Sequence, residues 1–235
     1  MSPRFAIAIP AYQAAPSVGA VVRGALAEAP EVLVIDDGST DATAEASRQA
    51  GARVISQPEN RGKGAALALA FRDLFGRGFE GVVTVDADGQ HLPAEIPKLF
   101  AVQAEADLVL GVRDHLFAQM SRVRRASNRL SSRAISAVAG IDLADIQTGF
   151  RFYSRRLIER VGFPENRFEA ESAVVVRAGR NGFKVVSVPV RLGFADGRTT
   201  SHYRPLVDSL RIARAVLKAR FEGRPPLRAT NEGIH

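Results

Sequence analysis

Cysteine is absent from this 235-residue sequence, which excludes a disulfide framework and a thiolate metal site. Long apolar runs are absent too: the longest, Ala65–Phe71, falls far short of the roughly 20 residues that span a bilayer. The first residues, Met1–Pro10, contain too short an apolar stretch for a signal peptide. We therefore expect a cytoplasmic protein, or one that lies peripherally on the cytosolic face of a membrane.

Lysine is scarce, although the chain is basic overall. Lys and Arg together number 32 against 25 Asp and Glu, giving a net charge of +7, and only four of the basic residues are lysine. The planar guanidinium of arginine suits phosphate oxygens, so the excess predicts acidic partners such as nucleotides or anionic lipids. A compositional bias explains the excess equally well. Aromatic and basic residues do not interleave, and we expect no nucleic-acid partner.

In the first half of the chain, short apolar runs alternate with helical patterns. This alternation predicts an α/β fold with a mostly parallel central sheet and helices on both faces. Ligands bind such sheets beyond the carboxyl ends of the strands, so the loops after Ile9, Ile35 and Val85 are the first candidates for a site. The predicted strands are Phe5–Ile9, Val32–Ile35, Arg53–Ile55, Val82–Val85 and Leu108–Leu110, and the predicted helices are Ser17–Glu28, Asp41–Ala50, Ala65–Phe75 and Ala94–Ala104.

The second half has a different pattern, but no linker separates it from the first, and we expect one domain over residues 1–221. Leu116–Gly140 predicts a helix whose basic residues are all arginine and which holds no acid. The polar tail over 222–235 is expected to be disordered. The other predicted elements are strands at Gly149–Ser154 and Val185–Val190, a helix near Glu171–Arg180 and a basic amphipathic helix at about 205–221.

Two carboxylates follow the predicted strand that ends at Val85. Asp86 and Asp88 are two residues apart, and on an extended chain such positions face the same side, so both oxygens could reach one hard cation. A divalent ion held there would bridge the phosphates of a nucleotide diphosphate and stabilise it as a leaving group. The competing interpretation is a polar turn in which one of the two acids caps the next helix.

A second acidic turn, Asp36–Asp41, follows another predicted strand, and Tyr12 follows the first. In the functional interpretation, Asp36 or Asp37 accepts hydrogen bonds from a base or ribose, and Tyr12 flanks the base. In the structural interpretation, the Asp-Gly pair makes the bend and a following polar residue caps the next helix.

Six segments occur in a fixed order: Ile9-Pro10-Ala11-Tyr12, Asp36-Asp37-Gly38-Ser39-Thr40-Asp41, Asn60-Arg61-Gly62-Lys63-Gly64-Ala65, Asp86-Ala87-Asp88-Gly89-Gln90-His91, Gln147-Thr148-Gly149-Phe150-Arg151 and Arg167-Phe168-Glu169-Ala170-Glu171. Together they resemble glycosyltransferase family 2, most closely its dolichyl-phosphate mannose synthase and polyprenyl-phosphate glycosyltransferase branch. The resemblance covers about residues 5–204. It implies a GT-A fold, a nucleotide-sugar donor, Mg or Mn, and inversion at the anomeric carbon.

The resemblance also implies roles for individual residues on the donor side. The metal would be bound by Asp86, Asp88 and Gln90. Arg113, after a predicted strand, matches a position that contacts the donor or acceptor phosphate. The nucleotide-sugar would be held by Pro10, Ala11, Tyr12, Asp36, Asp37, Lys63, Asp86, Ala87 and Gln90.

Lys63 has a competing interpretation. The Gly62-Lys63-Gly64 element is neither a Walker loop nor a dinucleotide fingerprint, because the spacing of its glycines fits neither motif. It is equally consistent with a helix start that needs a close backbone approach.

On the acceptor side, the resemblance points to basic residues late in the chain. The sequence departs from the mannose synthases at Ser201-His202-Tyr203-Arg204, where they have Ser-Lys, and at Gln13, where they often have Glu. Both departures concern the identity of donor and acceptor rather than the class of reaction. The expected acceptor- or phosphate-binding residues are Arg124, Arg125, Arg129, Arg198, His202 and Arg204.

The chemical class of the acceptor determines which catalytic groups the enzyme needs. A hydroxyl acceptor requires a base, for which Glu169 and Glu171 are the candidates. A lipid phosphate is already ionised, so cationic groups that position it matter more. The arginine-rich second half favours a polyprenyl-phosphate-type acceptor; transfer to a hydroxyl with Glu171 as base is the alternative. The predicted catalytic residues are Asp88, Arg113, Glu169 and Glu171.

The predicted terminal helix carries an apolar stripe with basic residues around it. This pattern is typical of a helix that lies on a membrane surface. It is also consistent with a helix packed on its own domain. The stripe consists of Leu206, Leu210, Ala213 and Leu217, and the basic residues are Arg211, Arg214, Lys218 and Arg220.

Two other classes of protein are more distant alternatives. A nucleotidyltransferase is expected to have a glycine-rich loop with a basic residue after the first strand, and Ala11–Ala15 has neither. A non-catalytic, membrane-associated module would have no need to retain both Asp86 and Asp88.

Replacement of Asp88 by alanine tests the predicted metal site. We expect Asp88→Ala to abolish metal-dependent donor hydrolysis and transfer, because one of two carboxylate ligands is lost. The measurement is release of nucleoside diphosphate from the nucleotide-sugar, with the circular dichroism spectrum as the control for folding. Unchanged activity in a folded variant would contradict the assignment.

Overall fold

The computed structural model describes residues 4–112, 132–133, 135–141, 143, 146, 148–193 and 205–222. The first half alternates strands and helices, as predicted. Its elements are β1 (Phe5–Ala11), α1 (Ala15–Glu28), β2 (Val32–Asp36), α2 (Thr43–Gln49), β3 (Arg53–Ser56), α3 (Lys63–Gly76), β4 (Gly81–Thr84), a 3₁₀ turn (Pro93–Glu95), α4 (Ile96–Ala101) and β5 (Leu108–Val112).

The second half adds further strands and helices to this framework. Most of the helix predicted over Leu116–Gly140 lies outside the described residues, although residues 135–139 are helical. Within the described ranges, no helix combines the length and the apolar character needed to cross a membrane. The elements are β6 (Arg151–Ser154), α5 (Arg155–Val161), α6 (Glu169–Arg180), β7 (Val185–Pro189) and α7 (Pro205–Phe221).

The seven strands form one sheet in the order β3-β2-β1-β4-β6-β5-β7. All neighbouring strands are parallel except at β6, which is antiparallel to both β4 and β5. The predicted α/β architecture with a mostly parallel sheet is thus confirmed. Because β6 is reversed, its first residue lies at the edge where β4 ends, and Arg151 pairs with Thr84.

The sheet is buried on both faces, which explains why its strands are nearly continuous apolar runs. In β1, Ala6 and Ala8 belong to one apolar cluster, while Ile7 and Ile9 belong to the other. The first cluster is covered by α3, α6 and α7, and the second by α1 and α4. Alternate residues therefore face opposite layers, as the period of a strand requires.

The terminal helix α7 packs against α6, but not through the stripe identified in the sequence. The residues of α7 that contribute to the core are Ala215, Val216 and Ala219. Of the predicted stripe, Leu210 is 54% exposed and Leu217 is 55% exposed. The helix has a second apolar face, whose small alanines allow α6 and α7 to approach closely, and this second face is the one that is buried.

A buried carboxylate joins the 3₁₀ turn to the chain that follows β7. Glu95 is only 1% exposed, and it accepts hydrogen bonds from Lys98 and from the side chain and backbone of Arg191. Burial opposes its ionisation, yet these hydrogen bonds lower the pKa of Glu95 from 4.5 to about 2. The adjacent bridge between His91 and Leu192 links the same two segments. The segment after β4 is therefore bound to the residues that follow β7, the last strand at one edge of the sheet.

The depressed pKa of Glu95 predicts a pH-dependent contribution to stability. A carboxyl whose pKa is lower in the folded state stabilises the fold above its unfolded pKa and loses this effect as it is protonated. We expect Glu95→Gln to reduce the free energy of unfolding by about 1 kcal/mol at pH 7, since its cationic partners are solvent-exposed. The difference from wild type should shrink as the pH falls from 4.5 towards 2.

Urea unfolding at several pH values measures this difference. The matched control is Glu80→Gln, which changes an exposed side chain and should show no such trend. A pH-independent difference between wild type and Glu95→Gln would contradict the ion-pair explanation.

Candidate active site

The carboxyl ends of β1, β2 and β4 meet at one edge of the sheet, together with the beginning of β6. The register places Ala11 beside Asp36, and Ala8 beside Thr84. Ligands of such sheets bind at this edge. Most of the sequence-predicted donor-binding residues follow these strands and so lie in neighbouring loops.

The loops after β1 and β2 are bound to each other through Gln13. Its backbone lies in the left-handed region, with φ of 51°, the only such non-glycine residue in the described part of the chain. Its backbone nitrogen donates to Ser39 Oγ at 2.9 Å, and its side-chain oxygen accepts from the nitrogens of Thr40 and Asp41 at 3.2 Å each. Gln13 thus holds the β1 loop, which contains Tyr12, against the acidic turn.

Asp37 is buried and anchors the segment that precedes α3. Its carboxylate accepts hydrogen bonds from the backbone nitrogens of Arg61 and Gly62 at 2.8 Å each, and from Gln57 Nε2 at 2.7 Å. Burial raises the pKa of Asp37, although the backbone hydrogen bonds partly oppose this. The structural role of Asp37, which no sequence pattern indicated, is therefore to position the loop before Lys63.

Asp36 stabilises the acidic turn through its side chain. Its Oδ1 accepts from the backbone nitrogen of Ser39 at 3.0 Å. Asp41 in turn accepts from the nitrogen of Ala15, at the start of α1, at 3.1 Å. Pro10 and Tyr12 are half-buried at the same edge. Their role towards a nucleoside stays a prediction.

Lys63, the first residue of α3, joins two carboxylates from distant parts of the chain. Its ammonium lies 2.7 Å from Asp86 Oδ1 and 3.0 Å from Glu171 Oε2. Burial lowers the pKa of Lys63, but the two carboxylates more than compensate and hold it above its usual value. The preceding Gly62 has φ of 100°, and a Cβ there would lie 2.5 Å from the carbonyl oxygen of Asn166. The helix start with a close backbone approach is therefore confirmed, whereas donor binding by Lys63 stays a prediction.

The two acids after β4 do not continue the strand. β4 ends at Thr84, and Ala87 and Asp88 form a turn, so the expectation of an extended Asp86–Asp88 segment was wrong. Asp88 Oδ1 accepts from the backbone nitrogen of Gln90 at 2.9 Å. The carbonyl of Ala87 accepts from Ser17 Oγ at 2.7 Å, which binds the turn to α1. The turn is thus set by tertiary contacts rather than by strand geometry.

The beginning of β6 reaches the same position from the opposite direction. A Cβ on Gly149 would lie 2.3 Å from Asp86 Oδ2 and 2.5 Å from Lys63 Nζ, so only glycine leaves room for this ion pair. Thr84 Oγ1 donates to the carbonyl of Gly149 at 2.8 Å and fixes the approach.

Arg151 is a fully buried cation next to Glu171. It donates to the carbonyls of Thr148 at 2.7 Å and Ile146 at 2.6 Å, and to the carbonyl of Glu171. Its Nε lies 4.0 Å from Glu171 Oε1, which accepts no hydrogen bond from the described residues. Arg151 therefore holds the first turn of α6 against the sheet. No local sequence pattern indicates this role for Arg151.

Glu169, the other candidate base, is not part of this arrangement. Its Oε1 accepts from the backbone nitrogen of Arg167, in its own segment, at 3.4 Å. Residues two apart on a helix lie about 200° apart around its axis, so Glu169 and Glu171 face different sides. Glu171 is the candidate that the fold brings to Lys63 and Asp86.

The residues after β4 fit a divalent cation by their chemistry. Within the described ranges, no three His, Cys, Asp or Glu side chains converge on one point. Magnesium is commonly bound by only one or two carboxylates together with substrate phosphates, so two acids suffice. Asp86, Asp88 and the amide of Gln90 offer hard oxygen atoms, and these suit Mg²⁺ or Mn²⁺. These residues therefore offer donor atoms of the right type, and their role as metal ligands stays a prediction.

Several predicted site residues lie outside the described residues. These are Arg113 and the acceptor-side group of Arg124, Arg125, Arg129, Arg198, His202 and Arg204. Their roles stay predictions.

The order of the strands and the helices on both faces of the sheet give the chain a GT-A-type fold. Glucosyl-3-phosphoglycerate synthase from Mycobacterium tuberculosis, solved with Mn²⁺, UDP and phosphoglyceric acid, has a TM-score of 0.71 at 20% identity and covers 94% of this chain and 79% of that one. The same enzyme with Mg²⁺ and UDP has a TM-score of 0.67 at 22% identity, covering 93% of this chain and 78% of that one. The GT-A fold implied by the resemblance is therefore confirmed.

Sequence similarity assigns the chain to a family. A sequence model of glycosyl transferase family 2 matches residues 6–162, more than half of the chain, and the chain belongs to this family. Dolichyl-phosphate hexose transferase of Haloferax volcanii is 31% identical over 194 residues, which are 82% of each protein. Polyprenol monophosphomannose synthase of Mycolicibacterium smegmatis is 29% identical over 205 residues, 80% of this chain and 76% of that protein.

A third relative is longer than this chain. Glycosyltransferase AglJ of Haloferax volcanii is 32% identical over 187 residues, which are 78% of this chain but only 61% of that protein. The predicted resemblance to the polyprenyl-phosphate branch is confirmed by the other two relatives.

Replacement of Gly149 by alanine tests the geometry of the ion pair. We expect Gly149→Ala to displace Asp86 and Lys63 and to lower kcat/KM about 100-fold, since small displacements of catalytic groups have effects of this size. Steady-state kinetics with the nucleotide-sugar measures the loss. The matched control is Gly76→Ala, where a Cβ meets no atom within 4 Å and activity should be unchanged. Equal activity of the two variants would contradict the proposed crowding.

Proposed function

We propose that this glycosyltransferase is metal-dependent and inverting, and that it moves a sugar from a GDP- or UDP-sugar to a polyprenyl-phosphate-type lipid. The observation that carries the proposal is the contact of Lys63 with both Asp86 and Glu171. It joins the end of β4, where the donor phosphates would lie, to the first turn of α6. Donor and acceptor groups would therefore meet within one small region.

On the donor side, the loops after β1 and β2 would hold the nucleoside and the turn after β4 would hold the diphosphate. When bound, Mg²⁺ or Mn²⁺ would neutralise the negative charge of the departing nucleoside diphosphate. Lys63 would supply a second positive charge beside the same phosphates. Because Asp37 fixes the backbone at Arg61 and Gly62, this charge would be held in place before the donor binds.

On the acceptor side, a lipid phosphate oxygen would attack the anomeric carbon from the face opposite the diphosphate. One carbon–oxygen bond forms to the acceptor while the bond to the leaving diphosphate breaks, which inverts the configuration. No proton needs to be removed, because the phosphate is already ionised. Two relatives, named dolichyl-phosphate hexose transferase and polyprenol monophosphomannose synthase, support this acceptor class. Such an acceptor would bring the enzyme to the cytosolic surface of a membrane.

A hydroxyl acceptor is the second candidate, favoured by one observation. The Oε1 atom of Glu171 is buried and accepts no hydrogen bond from the described residues, although Arg151 Nε lies 4.0 Å away. A carboxylate with one uncommitted oxygen at the site could accept the proton of an attacking hydroxyl. Soluble and glycolipid acceptors belong to this class.

A transfer assay with purified protein distinguishes the two acceptors. Radiolabelled GDP- and UDP-sugars are offered with Mn²⁺ and polyprenyl phosphate, and the organic phase is counted. We expect label in the organic phase that is lost in Asp88→Ala. Release of nucleoside diphosphate without lipid label, and transfer to phosphoglyceric acid or another soluble hydroxyl, would instead support the second candidate.

The variant Glu171→Gln provides an independent criterion. Glutamine keeps the shape of the side chain but cannot act as a base. Transfer to a lipid phosphate should fall less than about tenfold, whereas transfer to a hydroxyl should fall about 100-fold or more. Glu169→Gln, a matched change in the same turn of α6, is expected to have little effect on either acceptor.

A further inference from the structure

The terminal helix α7 exposes large apolar side chains that its own domain does not use. Leu210, Leu217 and Phe221 are 54%, 55% and 79% exposed, and they are the only exposed large hydrophobic residues in the described part of the chain. The packed face of the helix contains Ala215, Val216 and Ala219 instead. Folding of the domain therefore does not explain the exposed face.

The three exposed side chains form a continuous stripe. At 100° per residue, Leu210, Leu217 and Phe221 lie within about 40° of one another around the helix axis. They extend over about 16 Å along the axis, at 1.5 Å per residue. The buried residues lie on the opposite side of the helix. The stripe therefore faces away from the domain, where a flat surface could approach it.

Basic side chains flank this stripe on both sides. By the same helical geometry, Arg214, Lys218 and Arg211 lie on one side and Arg220 on the other. Glu222 directly follows the last residue of α7. Its carboxylate accepts a hydrogen bond from Arg177 at 2.8 Å and lies 3.6 Å from Lys218. Its charge is therefore largely directed towards the domain, and the outward face of α7 is positive.

An apolar stripe between basic residues is complementary to an anionic lipid surface. Such a helix lies in the interface, with its apolar side chains among the acyl chains and its cations at the headgroups. A second copy of this chain fits the face less well, because two such helices would bring like charges together.

We propose that the outward face of α7 docks the enzyme on anionic membrane surfaces, with Leu210, Leu217 and Phe221 inserted and Arg214, Lys218 and Arg220 on the headgroups. The inference rests on the proposed lipid-phosphate acceptor for its purpose, since docking would bring the enzyme to that acceptor. Its test requires neither donor nor acceptor, so the two proposals fail separately.

Vesicle co-sedimentation of the full chain provides the test. Wild type is mixed with phosphatidylcholine vesicles that contain or lack phosphatidylglycerol. We expect binding to the anionic vesicles, weaker binding at high salt, and little binding to neutral ones. The triple variant Leu210→Gln, Leu217→Gln, Phe221→Gln should bind at least about tenfold more weakly, because its apolar insertion is lost.

A charge-reversed pair provides the second variant and its matched control. Arg214→Glu with Arg220→Glu should also weaken binding at least about tenfold, since each cation near an anionic surface contributes measurably. Arg23→Glu with Arg48→Glu makes the same change of charge on exposed positions of α1 and α2 and should bind like wild type. Unchanged thermal unfolding midpoints would show that all variants are folded, because the packed face of α7 is untouched.

Three outcomes would overturn the inference. These are failure of wild type to bind anionic vesicles, equal binding by the triple glutamine variant, and a dimer in analytical ultracentrifugation that the triple variant abolishes. The last would assign the face to a second copy. Transfer of sugar to detergent-solubilised polyprenyl phosphate should be unaffected in these variants. If wild type binds vesicles but transfers no sugar to polyprenyl phosphate, that result would contradict the proposed function and leave the docking inference intact.

Discussion

Lys63 donates to Asp86 and to Glu171, and these three charges connect the end of β4, the first turn of α3 and the first turn of α6. The contact is largely buried, and Lys63 separates two carboxylates whose like charges would repel each other strongly in a poorly hydrated space. The surrounding structure positions Lys63. Asp37 fixes the backbone before it, and Gly149 leaves room for it.

This arrangement was only partly predictable from the sequence. An apolar run followed by acids predicts a strand with acidic residues at its end, and this rule correctly placed Asp36, Asp37 and Asp86 at the ends of β2 and β4. The same rule cannot find Gly149 or Arg151, because β6 is antiparallel and brings the beginning of a strand to that edge. Contacts such as that of Ser17 with Ala87 join residues far apart in the chain, and no local pattern predicts them.

Local patterns also left choices that only packing decides. Glu169 and Glu171 are equally good candidates for a base in the sequence. In the structure they face different sides of α6, and only Glu171 contacts Lys63. The segment after β4 was predicted to be extended, but Asp88 turns back to bind the nitrogen of Gln90. On α7, two apolar faces are present, and the sequence does not tell which one is buried. The alanines at 215 and 219 permit close packing on α6, whereas Leu210 and Leu217 would hold the helices apart.

Arg177 links the terminal helix to the segment before α6. Its buried guanidinium binds Glu165 on one side and Glu222 on the other. Glu222 also lies 3.6 Å from Lys218, so the charge balance around Arg177 depends on a residue that follows the last turn of α7. The length of the terminal helix is therefore part of the electrostatics of the domain interior. Shortening the polypeptide before Glu222 would alter the charge around a residue of the same helix that carries Glu171, without changing any residue of the candidate site.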